Sequence, residues 1–140
     1  MKRLGARERR LKTAVHFHGH LGPYLVFGLR MGMIAVQMLD PKGLHELSAT
    51  VWTGKSPPQS CVLDGVQVSS GCTLGKGNIK AKESRRMKAT FRKGKRTVVI
   101  EPTEKATKLL SRVSRDSPEL VQEIAFALHR MPDRELFIIT

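Results

Sequence analysis

Apolar residues along the chain predict one long buried helix near its start. The run PYLVFGLRMGMIAVQMLD, which begins at Pro23, is apolar on almost every face, so it predicts a central helix that ends near Asp40-Pro41. Proline in the first turn favours this start because its missing N–H group needs no partner there. A weaker helical pattern over residues 4–15 predicts a shorter helix in front of it.

Alternating and helical patterns divide the rest of the chain. LSATVWT alternates as a strand, and MKATFRKGKRTVVIEP predicts a hairpin around Lys93-Gly94-Lys95. Between them, CVLDGVQVSSG predicts a short helix entered through Ser60, followed by a glycine-rich loop at 71–78. Thr103 and Ser117-Pro118 then open two further helices, and ELFIIT predicts a final strand.

This order of elements predicts a single α+β domain over residues 1–140. A mostly antiparallel sheet is expected to pack against the buried central helix and the further helices. Within it we expect a basic N-terminal arm or helix at 1–12, a core at 12–100 that carries the motifs, and C-terminal helices and a strand at 103–140.

Composition indicates a globular protein without a membrane span. The 140 residues are 40% apolar and 26% charged, and no apolar run reaches the roughly 18 residues that cross a bilayer. The first ten residues lack the apolar centre of a secretory signal. We therefore expect a cytoplasmic protein whose two cysteines are reduced thiols.

The formal charge of +13 is concentrated in two segments. Residues 1–12 and 80–96 carry a net +5 and +8, and the remainder is neutral overall. Such segments are either solvated surface or a site for nucleic acid or an acidic partner. The second hypothesis makes the chain a binding module, although these segments contain one aromatic residue, Phe91, where single-strand binders usually carry several.

Histidines and cysteines form a candidate metal set. The segment HFHGHLGP places His18 and His20 just before the central helix, and Cys61 and Cys72 follow later. Imidazole nitrogen and thiolate sulfur are the ligands that zinc and other divalent transition metals prefer. Alternatively, the histidines are surface or helix-capping residues and the cysteines are small buried apolar residues. His129 stands apart and is expected at the surface.

The loop GCTLGKGN at 71–78 resembles a phosphate loop, but it lacks the spacing of one. Three residues rather than four separate its glycines, and Gly77 follows Lys76 where Ser or Thr is required, so nucleotide hydrolysis is rejected. Lys76 is instead expected to lower the pKa of the Cys72 thiol. Asp64, three residues after Cys61, either orients a histidine, moves a proton or complements a helix dipole.

FHGHLGP followed by CVLDGVQVSSGCTLGKGN resembles the FmdE family of formylmethanofuran dehydrogenase proteins, over roughly residues 12–100. The resemblance implies an α+β domain, often dimeric, with a metal site. Family members commonly have a cysteine at the position of Gly22, and longer members carry a zinc ribbon after this domain, which is not found in these 140 residues. The family's site roles fall on His18, His20, Cys61 and Cys72 as metal ligands, with Asp64, Lys76 and Asn78 nearby. We expect Asp64 and Lys76 to be catalytic residues, together with Cys72, and Asn78 to bind a cofactor.

Two metal arrangements follow from this ligand set. Four protein ligands would close a structural site, whereas Cys72 turned toward Lys76 would leave His18, His20 and Cys61 with an open position for water or a small-molecule substrate. We favour the open arrangement because a metal ion with four protein ligands would not explain the glycine loop or Lys76. Cys72 would then be a nucleophile or redox thiol, and Lys76 would stabilise negative charge.

The methionine-rich central helix and the apolar C-terminal strand predict more apolar surface than one small domain needs to cover. Together with the resemblance, this predicts a homodimer.

Overall fold

The computed structural model describes residues 5–113 and 117–140. They form one α+β domain of five strands, six α-helices and a single 3-10 turn at Gln59–Cys61. The helices are α1 (Ala6–His18), α2 (Pro23–Leu39), α3 (Val62–Ser70), α4 (Glu104–Ser111), α5 (Pro118–Arg130) and α6 (Asp133–Leu136). The strands are β1 (Leu47–Thr53), β2 (Ile79–Glu83), β3 (Lys88–Lys93), β4 (Arg96–Pro102) and β5 (Phe137–Ile139).

The five strands form one sheet in the order β2-β1-β3-β4-β5, and all neighbours but one are antiparallel. The predicted hairpin is confirmed as β3 and β4, which turn at Gly94 with a φ of 60°. The exception is β2, which runs parallel to β1 with Ala49 opposite Ile79. Because α3 lies between these two strands in sequence, β1, α3 and β2 form a crossover unit that the sequence did not reveal.

The central helix is confirmed in its predicted place. Thirteen of the seventeen residues of α2 are buried, beneath the sheet on one side and α3 and α5 on the other. One of them is Arg30, whose guanidinium donates to the Leu128 carbonyl and to Asp133, each at 2.6 Å. Burial lowers the pKa of Arg30, while the hydrogen bond to Asp133 opposes that shift. A buried charge with these partners ties α2 to α5 and α6.

Two glycines allow α2 and α3 to cross with their backbones in contact. A Cβ atom added at Gly28 would lie 2.0 Å from the Val62 carbonyl oxygen, and one at Gly65 would lie 2.1 Å from the Leu25 carbonyl oxygen. Any side chain at either position would push the helices apart. This close crossing sets where the first turn of α3 meets the start of α2.

The segment between α1 and α2 is shorter than expected. The helix α1 extends through His18, so the first part of HFHGH is helical, and Gly19 ends it in the left-handed conformation at a φ of 107°. Gly22, extended at a φ of −138°, then leads directly into Pro23. His18 is therefore held by a helix rather than by a loop.

Two further expectations are corrected. ELFIIT contains the short helix α6 before β5, because Asp133–Leu136 completes a turn first. His129 is buried rather than exposed, and its Nε2 atom lies 2.7 Å from Glu8, which joins α5 to α1. This hydrogen bond is the main cause that lowers the pKa of Glu8.

Within the described ranges, every helix falls short of the length and apolar character that a bilayer-crossing segment requires.

Candidate functional site

A cavity of about 530 Å³ opens where the end of α1, the start of α2 and the start of α3 meet. Its polar side chains include His18, His20, Cys61 and Gln122. The rest of its wall is largely apolar, which is typical of sites for small molecules. That wall includes Leu21, Pro23, Tyr24, Pro57, Pro58 and Val121.

His18 is fixed by Asp64 of α3. Its Nδ1 atom lies 2.6 Å from the Asp64 carboxylate, and the imidazole is only 10% exposed. The other ring nitrogen, Nε2, is buried without a hydrogen-bond partner. A carboxylate that accepts from one imidazole nitrogen leaves the second free to bind a ligand, as in metal-binding histidines.

His20 and Cys61 complete the polar part of this wall. The His20 ring is exposed and lies with its centroid 4.6 Å from that of His18. Cys61 is half-buried directly before α3, and burial, followed by the nearby Asp64 charge, raises the pKa of its thiol. A metal bound here would favour the thiolate and lower that pKa.

The donor set suits zinc, but its present arrangement is incomplete. Among the described residues, no three His, Cys, Asp or Glu side chains are placed to hold a metal ion together. The exposed His20 and the half-buried Cys61 would have to turn toward the partnerless Nε2 atom of His18. That buried nitrogen is the feature that fits a metal, since leaving such an atom unpaired costs about 1–3 kcal/mol.

Cys72 lies apart from this cavity. It is fully buried in the core, where its thiol donates to the Leu47 carbonyl at 3.4 Å. Burial raises its pKa, and the lowering effects of Ser70 and Lys76 do not outweigh it. Lys76 lowers the pKa of the Cys72 thiol as expected, but the effect of burial is larger, so the net pKa lies above that of an ordinary thiol.

The glycine-rich loop is held together by Asn78. Its amide oxygen accepts from the Thr73 N–H group at 2.8 Å, and its amide nitrogen donates to the Leu47 carbonyl at 3.0 Å. The Lys76 backbone N–H group donates to the Thr73 hydroxyl. These contacts fix the loop against the start of β1.

The comparison with known sequences decides the family. The sequence model described as "FmdE, Molybdenum formylmethanofuran dehydrogenase operon" matches residues 17–138. The chain belongs to the FmdE family. The match includes the histidine segment, the crossover unit and the glycine loop, so the resemblance seen in the two motifs is confirmed over most of this FmdE chain.

Two relatives extend the comparison. A protein of Archaeoglobus fulgidus named "Probable S-adenosyl-L-methionine-binding protein" is 38% identical over 76 residues, which are 51% of this chain. The chain spans about a fifth of that relative, since the match covers 20% of it. A tungsten formylmethanofuran dehydrogenase FmdE-like protein of Syntrophus aciditrophicus has the same fold, with a TM-score of 0.63 at 19% identity. That match covers 96% of this chain and 70% of the other.

The sequence motifs did not reveal the far wall of the cavity. Val121 and Gln122 lie on α5, about a hundred residues after the histidines, and Tyr24 reads as an ordinary residue of an apolar helix. The Pro57-Pro58 pair was visible as a loop but carried no chemical signal. The packing of α5 against α2 brings Val121 and Gln122 to the site.

Proposed function

We propose that this FmdE-family protein is a cytoplasmic metal-binding protein that holds zinc or another divalent transition metal in the cavity beside α2. The ligands are the Nε2 atom of His18, an imidazole nitrogen of His20 and the thiolate of Cys61. One observation carries the proposal: Asp64 holds the Nδ1 side of His18 and leaves a buried Nε2 atom without a partner.

Three protein ligands leave a tetrahedral metal with one open position. A metal bound in this way supplies a Lewis acid and lowers the pKa of bound water. Asp64 fixes the orientation of His18 through the Nδ1–H group, and the apolar walls exclude bulk water from a small substrate. Cys72 and Lys76, which do not line the cavity, are outside this proposed site.

The experiment is metal reconstitution followed by spectroscopy. Metal-free protein is titrated with Co²⁺, whose absorption reveals thiolate coordination, and zinc content is measured by mass spectrometry. We expect one metal per chain in the wild type and its loss in His18→Ala and Cys61→Ser. His16→Ala and Cys72→Ala are the matched controls, since His16 is exposed and neither residue lines the cavity. Full metal content in His18→Ala would overturn the proposed site.

The cavity also offers room for an organic ligand. Its volume of about 530 Å³ falls within the range of small-molecule sites, roughly 300–1,000 Å³. The name of the A. fulgidus relative suggests one compound to test, S-adenosyl-L-methionine. We propose that a small molecule binds beside the metal, and calorimetry with Gln122→Ala against wild type tests this. Unchanged binding in that variant would place the ligand elsewhere.

A further inference from the structure

The face of the sheet opposite the helices is uncovered and basic. The core side of the strands carries buried residues such as Val51, Phe91 and Ile100. The side chains that alternate with them along each strand point away from the helices and are at least partly exposed. We call this side of the sheet the outer face. On β2, β1 and β3 its side chains are, in that order, Lys80 and Lys82, then Ser48, Thr50 and Trp52, then Lys88, Thr90 and Arg92.

Its cations are not neutralised by the chain itself. Within the described residues, none of Lys80, Lys82, Lys88 and Arg92 forms an ion pair with a carboxylate. The strand register places one acidic side chain on this face, Glu101, which lies at the far end beside β5. Four unpaired cations on a flat surface attract a polyanion.

Strand pairing places the chain's only tryptophan among these cations. Trp52 of β1 lies between Lys82 of β2 and Lys88 of β3 in the register. The two ammonium groups lie 5.5 Å and 4.4 Å from the centre of its ring. Both ammonium groups lie over the ring as cation–π contacts. A base that stacks on Trp52 therefore displaces an ammonium group, which can then contact the adjoining phosphate.

A polar depression lies beside the tryptophan on the same face. Its volume is about 360 Å³. Hydroxyl groups of serine and threonine line it together with two cations, a set that suits sugar and phosphate oxygens. The lining side chains include Ser48, Thr50, Lys80, Thr90, Arg92 and Thr97, and Asn78 of the glycine-rich loop completes one side.

We propose that the outer face binds single-stranded nucleic acid, with a base stacked on Trp52 and phosphates on Lys80, Lys82, Lys88 and Arg92. Single-strand binders combine a basic surface with exposed aromatic rings, usually several. The outer face has the same combination with one stacking position, Trp52. A second copy of this chain would bring like charges together, so this face does not suit self-association. A purely acidic protein partner would use the cations but would not need Trp52.

The test titrates the protein with 12-residue oligouridylate or oligothymidylate. Fluorescence of Trp52 reports binding to the wild type, and the fluorescence anisotropy of a dye-labelled oligonucleotide measures affinity in every variant, including those that lack Trp52. We expect quenching and a dissociation constant that rises with salt. Trp52→Leu should weaken binding about fivefold or more, and Trp52→Phe should retain most of it, because base stacking on an aromatic ring is sequence-tolerant but substantial. Lys80→Gln with Arg92→Gln should lower the slope of log affinity against log salt by about 1.4, since each single-strand phosphate contact contributes about 0.7.

The matched control is Lys105→Gln with Lys108→Gln, which removes the same charge from exposed positions on α4. We expect it to bind like wild type. Inorganic polyphosphate and phosphatidylserine vesicles are tested as alternative ligands of the wild-type protein. Both should bind more weakly than the oligonucleotides. Equal binding of polyphosphate without quenching of Trp52, preference for the vesicles, equal losses in the control, or no binding of either oligonucleotide would each overturn the proposal.

Discussion

The Nδ1 atom of His18 lies 2.6 Å from the carboxylate of Asp64, although the two residues are 46 positions apart in the chain. His18 ends α1 and Asp64 lies in the first turn of α3, so their contact joins these two helices beside the cavity. The contact also determines which imidazole nitrogen remains free. It is the feature from which the metal hypothesis is most directly tested.

Replacing Asp64 with Asn should weaken metal binding about 10- to 100-fold, because the carboxylate no longer orients the imidazole or raises its basicity. Asp40→Asn makes the same chemical change at the exposed C-terminal end of α2 and should leave the affinity unchanged. Competition with a coloured chelator measures both. Equal affinities in the two variants would show that Asp64 does not support a metal ligand.

Gly65→Ala should lower the free energy of unfolding by about 1–3 kcal/mol or more. The added methyl group would lie 2.1 Å and 2.4 Å from backbone atoms of α2, which cannot rotate away as a side chain would. Gly75→Ala is the control, since nothing lies within 4 Å of a Cβ atom there. Urea unfolding compares the variants, and a Gly65→Ala protein as stable as wild type would contradict the close crossing of α2 and α3.

Alkylation should distinguish the two thiols. Cys61 lines the cavity and should react with iodoacetamide, whereas the fully buried Cys72 should react only on unfolding. Burial and then Asp64 raise the pKa of Cys61, so its thiolate forms, and its reaction accelerates, at a higher pH than for an ordinary thiol. Asp64→Asn should shift this profile to lower pH. Mass spectrometry follows each site.

A fast reaction at Cys72 in the native protein would contradict the placement of that thiol. Added zinc gives a second check on Cys61. A bound metal should protect this thiol from alkylation, whereas the His18→Ala variant should show no such protection.

Asn78→Ala should destabilise the glycine-rich loop without removing metal binding. The substitution leaves the Thr73 N–H group without its acceptor and removes one of the donors to the Leu47 carbonyl, at a cost of about 1–3 kcal/mol. Gln122→Ala is the complementary variant, because it changes the cavity wall and should leave the unfolding free energy nearly unchanged. Thermal unfolding and Co²⁺ titration separate the two effects. A stable Asn78→Ala protein that binds no metal would instead support Asn78 as a cofactor-binding residue.

Local sequence patterns predicted the elements whose structure depends mainly on their own residues. The apolar run from Pro23 marked α2, and Thr103 caps α4 as expected by accepting from the Ala106 N–H group at 3.1 Å. The strand β2 was missed because IKAKE has few residues with strand propensity, and its pairing depends on β1. Such pairing is non-local, so no window of sequence contains it.

The candidate site was predictable only in part, because its motifs are local in the sequence whereas its geometry depends on non-local packing. The motifs identified His18, His20, Cys61 and Asp64, which the fold gathers at the start of α2 and α3. They did not show that Cys72 faces the core, since the direction of a side chain after a helix end depends on packing. The pairing of Trp52 with two lysines was likewise hidden, because Trp52 lies outside both basic segments of the sequence.

The two edges of the sheet restrict how chains of this protein can associate. One edge is β5, only three residues long, and the other is β2, where Lys80 and Lys82 would approach their copies if a second sheet were added there. Short edges and edge lysines disfavour continuation of a sheet from one molecule into the next. If the proposed homodimer forms, it should therefore use the helical side, where Phe17 and Phe126 are exposed, and leave both edge strands unpaired.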